Sequence, residues 1–337
     1  MIKKLNKINL KSTIGHMNEK QNLPKIIFYG TPEFARFCLE KLVVKGFPIL
    51  AVVTAPDRKA GRGKKINASA VKVYSEEQNL FLLQPENLKD PSFVAVLKKL
   101  APEIQVVVAF RMLPKVIWQV PKLGTINLHA SLLPNYRGAA PINWVLINGE
   151  IKTGVSTFII NESIDTGALL LQKEIPINEE DTVGLLHDAL LSLGAPLIME
   201  TLVGLMNNSL QPIQQQLSGD EKEAPKLTSE NTRINWNDSL KVIINKIRGL
   251  SPYPGAWSLY SNNEEEGRIK IFKANPVYMT HTKSIGQICV IDGKLLIATK
   301  EGYLNCSEIQ LPNKKRMTAQ ALLNGYSFVE NARVLHK

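Results

Sequence analysis

In the stretch "INLHASLLPNYRGAAP" (126–141), Asn127 and His129 stand two residues apart at the end of an apolar, strand-like run. Side chains on a strand alternate faces, so these two point the same way. An imidazole can move protons near neutral pH, and a side-chain amide can donate to an oxygen on which negative charge is developing. A lone strand histidine is more often a satisfied structural residue; an Asn partner on the same face favours chemistry. A third group is Asp165 in "IDTG" (164–167), between two β-like runs and able to return to the same edge. By itself, an Asp in a turn followed by Gly is ordinary turn chemistry. Beside an imidazole, its carboxylate would fix the tautomer and raise the basicity of the ring. The trio suits acyl transfer without a covalent enzyme intermediate, because no Ser or Cys stands in a motif such as G-x-S-x-G.

Such a trio needs a rigid sheet behind it. "KIIFYG" (25–30) reads as a strand ending in Gly30, followed by "TPEFARFCLEKLVVKG", where Thr31 can cap and Pro32 can take the first helical position. "PILAVVTAPD" (48–57) supplies a second strand, "NASAVKVYSEEQN" and "SFVAVLKKLAP" two helices, and "IQVVVAF" (104–110) a strand apolar on both faces. This alternation predicts a doubly wound, Rossmann-like α/β sheet, whose ligands bind at the C-terminal ends of the strands. The run holding Asn127 and His129 ends there. Only Gly30 occupies the first turn, where a dinucleotide site would need G-x-G-x-x-G, so nicotinamide chemistry is not expected.

Downstream come a helix from Pro141, a β-rich stretch over 153–177 and a helix from about Thr182 to Met206. Residues 207–225 are rich in Gln, Asn and Ser and read as an interdomain linker. From Lys226 onward, "IKIFKA", "IGQICVI", "GKLLIAT" and "GYLNCSEI" follow at close spacing, which predicts a small OB-like β-barrel. The expected organisation is a basic, disordered extension over 1–23, a catalytic domain over 24–206, the linker over 207–225 and the barrel over 226–337. The extension carries Lys3, Lys4, Lys7, Lys11 and Lys20 against Glu19, without a signal-type apolar segment or arginine; Met17 is an alternative start.

An apolar fraction of 44% with 21% charged residues over 337 positions is that of a globular protein with a sizeable core. No apolar run of roughly 18 to 20 residues stands out as a membrane span. Cys38, Cys289 and Cys306 are scattered, with no metal-ligand spacing, so a cytoplasmic, metal-free protein is expected. A net charge of +11 fits a polyanionic partner and equally a solvated lysine-rich surface. A sharper basic signal is "DRKAGRGKK" (57–65), with Arg58, Lys59, Arg62, Lys64 and Lys65 around two glycines. A flexible solvated loop would read the same way.

From about Pro24 the chain resembles the methionyl-tRNA formyltransferase family of folate-dependent formyltransferases. The resemblance is carried by "FYGTPEFA", "PDRKAGRGKK", "INLHASLLPNYRGAAPI", "IDTG", "KLTSENTRINW" and "PNKKRMTAQALLNG", in that order. It implies transfer of the formyl group of 10-formyltetrahydrofolate to the α-amine of methionyl initiator tRNA, by a monomer. It carries the catalytic roles to Asn127, His129 and Asp165, folate binding to Ser131, Leu132, Leu133 and Pro134, and tRNA binding to Arg62, Lys64 and Lys65. Lys241, Lys246, Arg248 and the "NKKR" turn (313–316) would extend a basic track along the barrel. An α-amine with a pKa of about 8 is partly neutral at pH 7, so positioning would matter more than a strong base. One departure is Arg111, in a segment one residue shorter than usual, where the family carries a Gly beside the folate site. A sugar-amine N-formyltransferase would share the trio without needing the basic loop, and a catalytically silent RNA binder would not need the trio.

Overall fold

The computed structural model describes residues 23–60 and 65–335, with the backbone alone for 58–60 and 65–67. Nearly all of the expected extension 1–23, Met17 included, lies outside the described residues, as do Arg62 and Lys64.

The first unit runs β1 (Ile26–Gly30), α1 (Glu33–Val44), β2 (Ile49–Val53), a hairpin of β3 (Arg58–Ala60) and β4 (Lys65–Asn67), α2 (Ala70–Glu77), β5 (Leu82–Leu83), α3 (Pro91–Leu100), β6 (Ile104–Val108), α4 (Lys115–Trp118), β7 (Thr125–His129), β8 (Arg137–Gly138), α5 (Pro141–Ile147), β9 (Lys152–Ile159), β10 (Leu169–Pro176) and α6 (Val183–Met206). Its main sheet has the order β10-β9-β7-β6-β1-β2-β5, with β5, β2, β1, β6 and β7 parallel and β9 and β10 antiparallel. The chain leaves β1 toward β2 on one side and returns to β6 on the other. That reversal opens a crevice beyond Gly30 and Val108, the kind of switch point where such sheets bind ligands. Pairing of Gln105–Val108 with Thr125–Leu128 brings His129 just past the same edge.

Apolar strands buried on two faces account for this layering. Ile26, Phe28, Val106, Ile126 and Leu128 pack with α1 and α6, and Ile27, Tyr29, Val53 and Val107 pack with α3 and α4. Helix starts follow local chemistry: Asp90 accepts from Ser92 N at 2.8 Å before Pro91 opens α3, and Thr182 caps α6. At α1 the start differs from expectation by one residue. Pro32 is itself the cap residue and makes no side-chain capping bond, so Thr31 does not cap. Although no membrane-length run stood out in the sequence, α6 is long and apolar enough to cross a bilayer. Here Leu186, Leu190, Leu197, Ile198 and Leu202 are buried in the core beside the sheet, so one face of the helix is spent inside the protein.

After β11 (Glu223–Ala224) comes the second unit: α7 (Leu240–Gly249), β12 (Ala256–Asn262), β13 (Glu265–Tyr278), β14 (Ile288–Ile291), β15 (Lys294–Thr299), β16 (Gly302–Gln310), β17 (Met317–Thr318), α8 (Ala319–Leu323) and β18 (Arg333–Leu335). Its antiparallel sheet has the order β14-β15-β16-β13-β12-β18, and it curls until its ends meet. There, Ile288 N donates to Ala332 O and Val334 N to Gly286 O, each at 2.8 Å. This is the expected OB-like barrel, with its own core around Trp236, Ile243, Tyr260, Ile271 and Leu304.

The joining segment 207–225 is folded against the first unit, which its composition does not reveal. Ile213 exchanges backbone hydrogen bonds with Leu169, and β11 pairs in parallel with β8. α7 of the second unit packs on α5 of the first, where Asn143 Nδ2 donates to Gly249 O at 2.8 Å.

Candidate active site

β7 delivers the first two groups of the trio. Ile126 and Leu128 turn into the core on the α6 side, and Asn127 and His129, which alternate with them, turn to the other face. Asn127 lines a cavity of about 1090 Å³, as does His129, which is 7% exposed. A short peptide loop folds over the histidine: Tyr136 has φ 61° and presents its carbonyl to His129 Nε2 at 2.7 Å. With that carbonyl as acceptor, Nε2 carries the proton and donates, and Nδ1 is left free to face Asp165 Oδ2 at 3.6 Å. Protonated at both nitrogens, the ring would donate in both directions. Tyr136 is itself anchored, its hydroxyl donating to Glu150 Oε1 at 2.5 Å. Burial and that carboxylate push the phenol well above its ordinary value.

Asp165 returns to the edge from the turn between β9 and β10. It adopts φ 53°, and its Oδ2 accepts from Gly138 N at 2.9 Å. The turn closes tightly behind it: a Cβ on Gly167 would lie 1.7 Å from Ile159 O, so only glycine fits this position of "IDTG". Asn127, His129 and Asp165 therefore line one cavity. An amide and an imidazole face a space where a carbonyl oxygen can sit, with a carboxylate beside the imidazole. That is equipment for activating a carbonyl and moving a proton off an attacking amine.

The cavity is apolar on most sides, with Phe34, Phe110, Met112, Pro141, Ile142 and Val183 in its wall. Its size and lining suit a flat heteroaromatic ligand with one polar edge. Ser131, Leu132, Leu133 and Pro134, expected to bind folate, do not line it. They form the layer behind His129: Ser131 Oγ donates to Asn135 O at 2.7 Å, Leu133 N to Ser156 Oγ at 3.1 Å, and Gln172 Nε2 to Leu133 O at 2.9 Å. Their polar groups are spent on holding the loop. The wall toward the solvent comes from the segment after β6, which includes Arg111. Its guanidinium donates to the carbonyls of Pro85 and Glu86 and lies along the Phe110 ring, 5.7 Å from its centroid. The departure from glycine at this position thus leaves the cavity open.

A second cavity of about 510 Å³ adjoins the first across Ala139, Ala140, Asn143 and Tyr253, and Tyr253 is 81% exposed. Its charged lining residues are Lys226, Arg268 and Lys270, with no carboxylate among them. Arg268 lies 3.8 Å over the Trp257 ring, and Lys270 Nζ donates to Pro254 O at 2.8 Å.

The other basic residues singled out from the sequence fare unequally. Arg62 and Lys64 lie outside the described residues, and Lys65 is described by its backbone alone, in the hairpin partner β4. Lys246 Nζ donates to Arg233 O at 3.0 Å, and Arg248 Nη1 to the carbonyls of Asn178 and Glu179 at 2.9 and 3.2 Å. Burial pushes both cations below their ordinary values. Lys246 is spent inside the second unit and Arg248 ties that unit to the first, so neither forms the outward basic track expected. In the "NKKR" turn, Arg316 pairs with Glu308 through two hydrogen bonds of 2.7 and 2.6 Å. Lys241 is exposed.

Sequence reasoning missed Tyr136, Gly138 and Gln215, which hold the trio in place. Gly138 lies inside "NYRGAAP", whose density of turn residues before a helix was a usable signal. Gln215 stands in a run of three glutamines, where composition hides it.

The chain is similar to known proteins along most of its length. A family model described as formyl transferase matches residues 24–202, and one described as formyl transferase, C-terminal domain, matches 226–327. A methionyl-tRNA formyltransferase of Flavobacterium johnsoniae is 50% identical over 310 residues, covering 92% of this chain and 98% of that protein. One of Bacteroides thetaiotaomicron is 46% identical, covering 91% and 97%. Among solved structures, HypX from Aquifex aeolicus in complex with tetrahydrofolic acid superposes with a TM-score of 0.61 at 17% identity. The match covers 90% of this chain and 47% of HypX, so the likeness to about half of that protein is one of fold.

Proposed function

The chain belongs to the methionyl-tRNA formyltransferase family, and from that premise we propose that it formylates the α-amine of methionine carried on initiator tRNA, with 10-formyltetrahydrofolate as donor. The carrying observation is the convergence of Asn127, His129 and Asp165 on an apolar cavity that adjoins a groove lined by Lys226, Arg268 and Lys270. A pterin fits the first space. An acceptor with a sugar-phosphate backbone fits the second, whose cations have no carboxylate among the lining residues.

When bound, 10-formyltetrahydrofolate supplies the formyl group. The Asn127 amide and the His129 ring stabilise the negative charge that develops on the formyl oxygen. His129, held between Tyr136 O and Asp165, takes on Nδ1, beside the Asp165 carboxylate, the proton lost by the attacking amine, and passes it to the departing folate nitrogen as that nitrogen's bond to the formyl carbon breaks. Phe110, Met112, Pro141 and Ile142 keep the reacting centre dry. Ser131 to Pro134 support His129 from behind, and the basic segment 57–65, with Arg62, Lys64 and Lys65, engages the acceptor stem.

The protein works as a monomer in the cytoplasm, without a membrane. Supporting the compartment and the absence of a membrane, α6 packs Leu186, Leu190, Leu197, Ile198 and Leu202 in the core, and Cys38 and Cys306 are buried free thiols, as suits a reducing compartment. A sugar amine is the competing acceptor; the cationic groove supplied by the second unit favours tRNA over it.

The test is formyl transfer from 10-formyltetrahydrofolate to Met-charged initiator tRNA, beside uncharged tRNA and a free amino sugar. Transfer to the charged tRNA alone is expected. Transfer to the amino sugar, or none to the tRNA, would overturn the reading.

A further inference from the structure

We propose that Gln215, in the segment joining the two units, is a positioning residue for formyl transfer and acts through Asp165; this rests on the function proposed above. The starting point is Asp165 itself. At φ 53° it stands in the left-handed region, which costs a non-glycine residue about 1 kcal/mol and persists only where neighbours over-determine it. Its carboxylate makes one fixed bond, from Gly138 N. Its backbone is fixed by Gln215, whose Nε2 donates to Asp165 O and to Gly167 O, both at 2.8 Å. One amide thereby clamps the carbonyls on either side of Thr166.

The orientation of that amide is also set. Its Oε1 accepts from Nε and Nη2 of Arg137, the first at 3.2 Å, so the guanidinium on one end and two carbonyls on the other leave a single satisfactory arrangement. Arg137 adjoins Gly138, whose N–H holds the Asp165 carboxylate. The loop over His129 and the turn carrying Asp165 are therefore bridged twice, once directly and once through Gln215. The backbone of Gln215 is anchored two residues upstream by the paired bonds between Ile213 and Leu169. Arg137 is anchored by pairing with Glu223.

Gln215 does not line the cavity, so its part is indirect. What it controls is the gap between His129 Nδ1 and Asp165 Oδ2. At 3.6 Å, that gap is within ion-pair reach and already longer than a hydrogen bond, so a retreat of Asp165 weakens the contact further. Loss of the clamp should therefore slow the chemical step and leave substrate binding nearly unchanged.

The experiment uses the full chain, with turnover measured on Met-charged initiator tRNA. For Gln215→Ala, kcat is expected to fall about 10- to 100-fold, the scale of a catalytic group displaced by an ångström, with KM for both substrates within about 3-fold. In an Asp165→Asn background, the same substitution should lower single-turnover rates by no more than about 3-fold, because its effect passes through a carboxylate already lost. Gln215→Glu keeps the volume and the Arg137 pairing while losing both donations; it should behave as Gln215→Ala does and serves in its place if the alanine variant does not fold. Unchanged kcat, a rise in KM alone, or an equal fall in both backgrounds would overturn the assignment. Wild-type transfer to Met-tRNA in the same assay separates this outcome from failure of the functional reading.

Discussion

His129 is useful because three unlike neighbours constrain it: a carbonyl on one nitrogen, a carboxylate beyond the other and the 131–134 layer behind it. His129→Ala should lower kcat by about 10²- to 10⁴-fold, the range for a lost proton-transfer group, with the dissociation constant for Met-tRNA nearly unchanged in a filter-binding titration. Asn127→Ala removes one donor to the developing charge and should cost about 10²- to 10³-fold in kcat, read in the same assay. At Gly167 the constraint is steric. Because an added methyl would collide with Ile159 O, Gly167→Ala should lower the melting temperature, with a loss of about 1 to 3 kcal/mol, and impair turnover by moving Asp165.

Among the elements, strands and helices of the first unit were legible because their apolar periods are strong. β1, β2 and β6 appear as continuous apolar runs, and the run "SFVAVLKKLAP" gives α3 by its helical spacing. Asn127 and His129 were legible for a related reason, that strand alternation fixes where a side chain points, whereas Asp165 sits in a turn whose return to the same edge the letters allow and do not fix. The 207–225 segment was not, because its attachment consists of two-residue pairings and side-chain amides with no apolar period. Nor could the sequence show that Lys246 and Arg248 turn inward, since a cation bound to carbonyls has the same letter as one in water. The attachment carries its own pH dependence. Although burial pushes the Glu150 carboxyl up, the Lys222 ammonium and the Tyr136 hydroxyl outweigh it and hold the group below its usual 4.5. A depressed folded value means that the contribution is present above the unfolded value and is lost as pH falls through the folded one. Hydrogen exchange at Lys222–Ala224 should therefore accelerate below about pH 4.5 relative to exchange in β6, and equal protection at pH 4 and pH 7 would remove Glu150 from this role.

For the whole molecule, the telling contact is that of α5 with α7. Pro141, Ile142 and Asn143 of α5 line the catalytic cavity, and Asn143 also binds Gly249 O of the second unit. A Cβ on Gly249 would lie 2.8 Å from Ile147 Cγ1 and 3.0 Å from Asn143 O. Gly249→Leu should separate the units: small-angle scattering should show an expanded chain, and kcat/KM for Met-tRNA should fall more than folate binding does. In the basic segment 57–65, Arg62→Ala should weaken tRNA engagement and flatten its salt dependence by roughly one phosphate contact, leaving folate binding alone. The β8 and β11 pairing also bears on the order in which the protein is made. Asn127, His129 and Asp165 all precede residue 170, yet the loop that holds the histidine leans on a strand ending at Ala224. A growing chain presents its catalytic side chains well before it acquires that brace, so competence is deferred until the next domain has begun to emerge. A fragment ending at 206 would fold most of its sheet and still have an unfinished site.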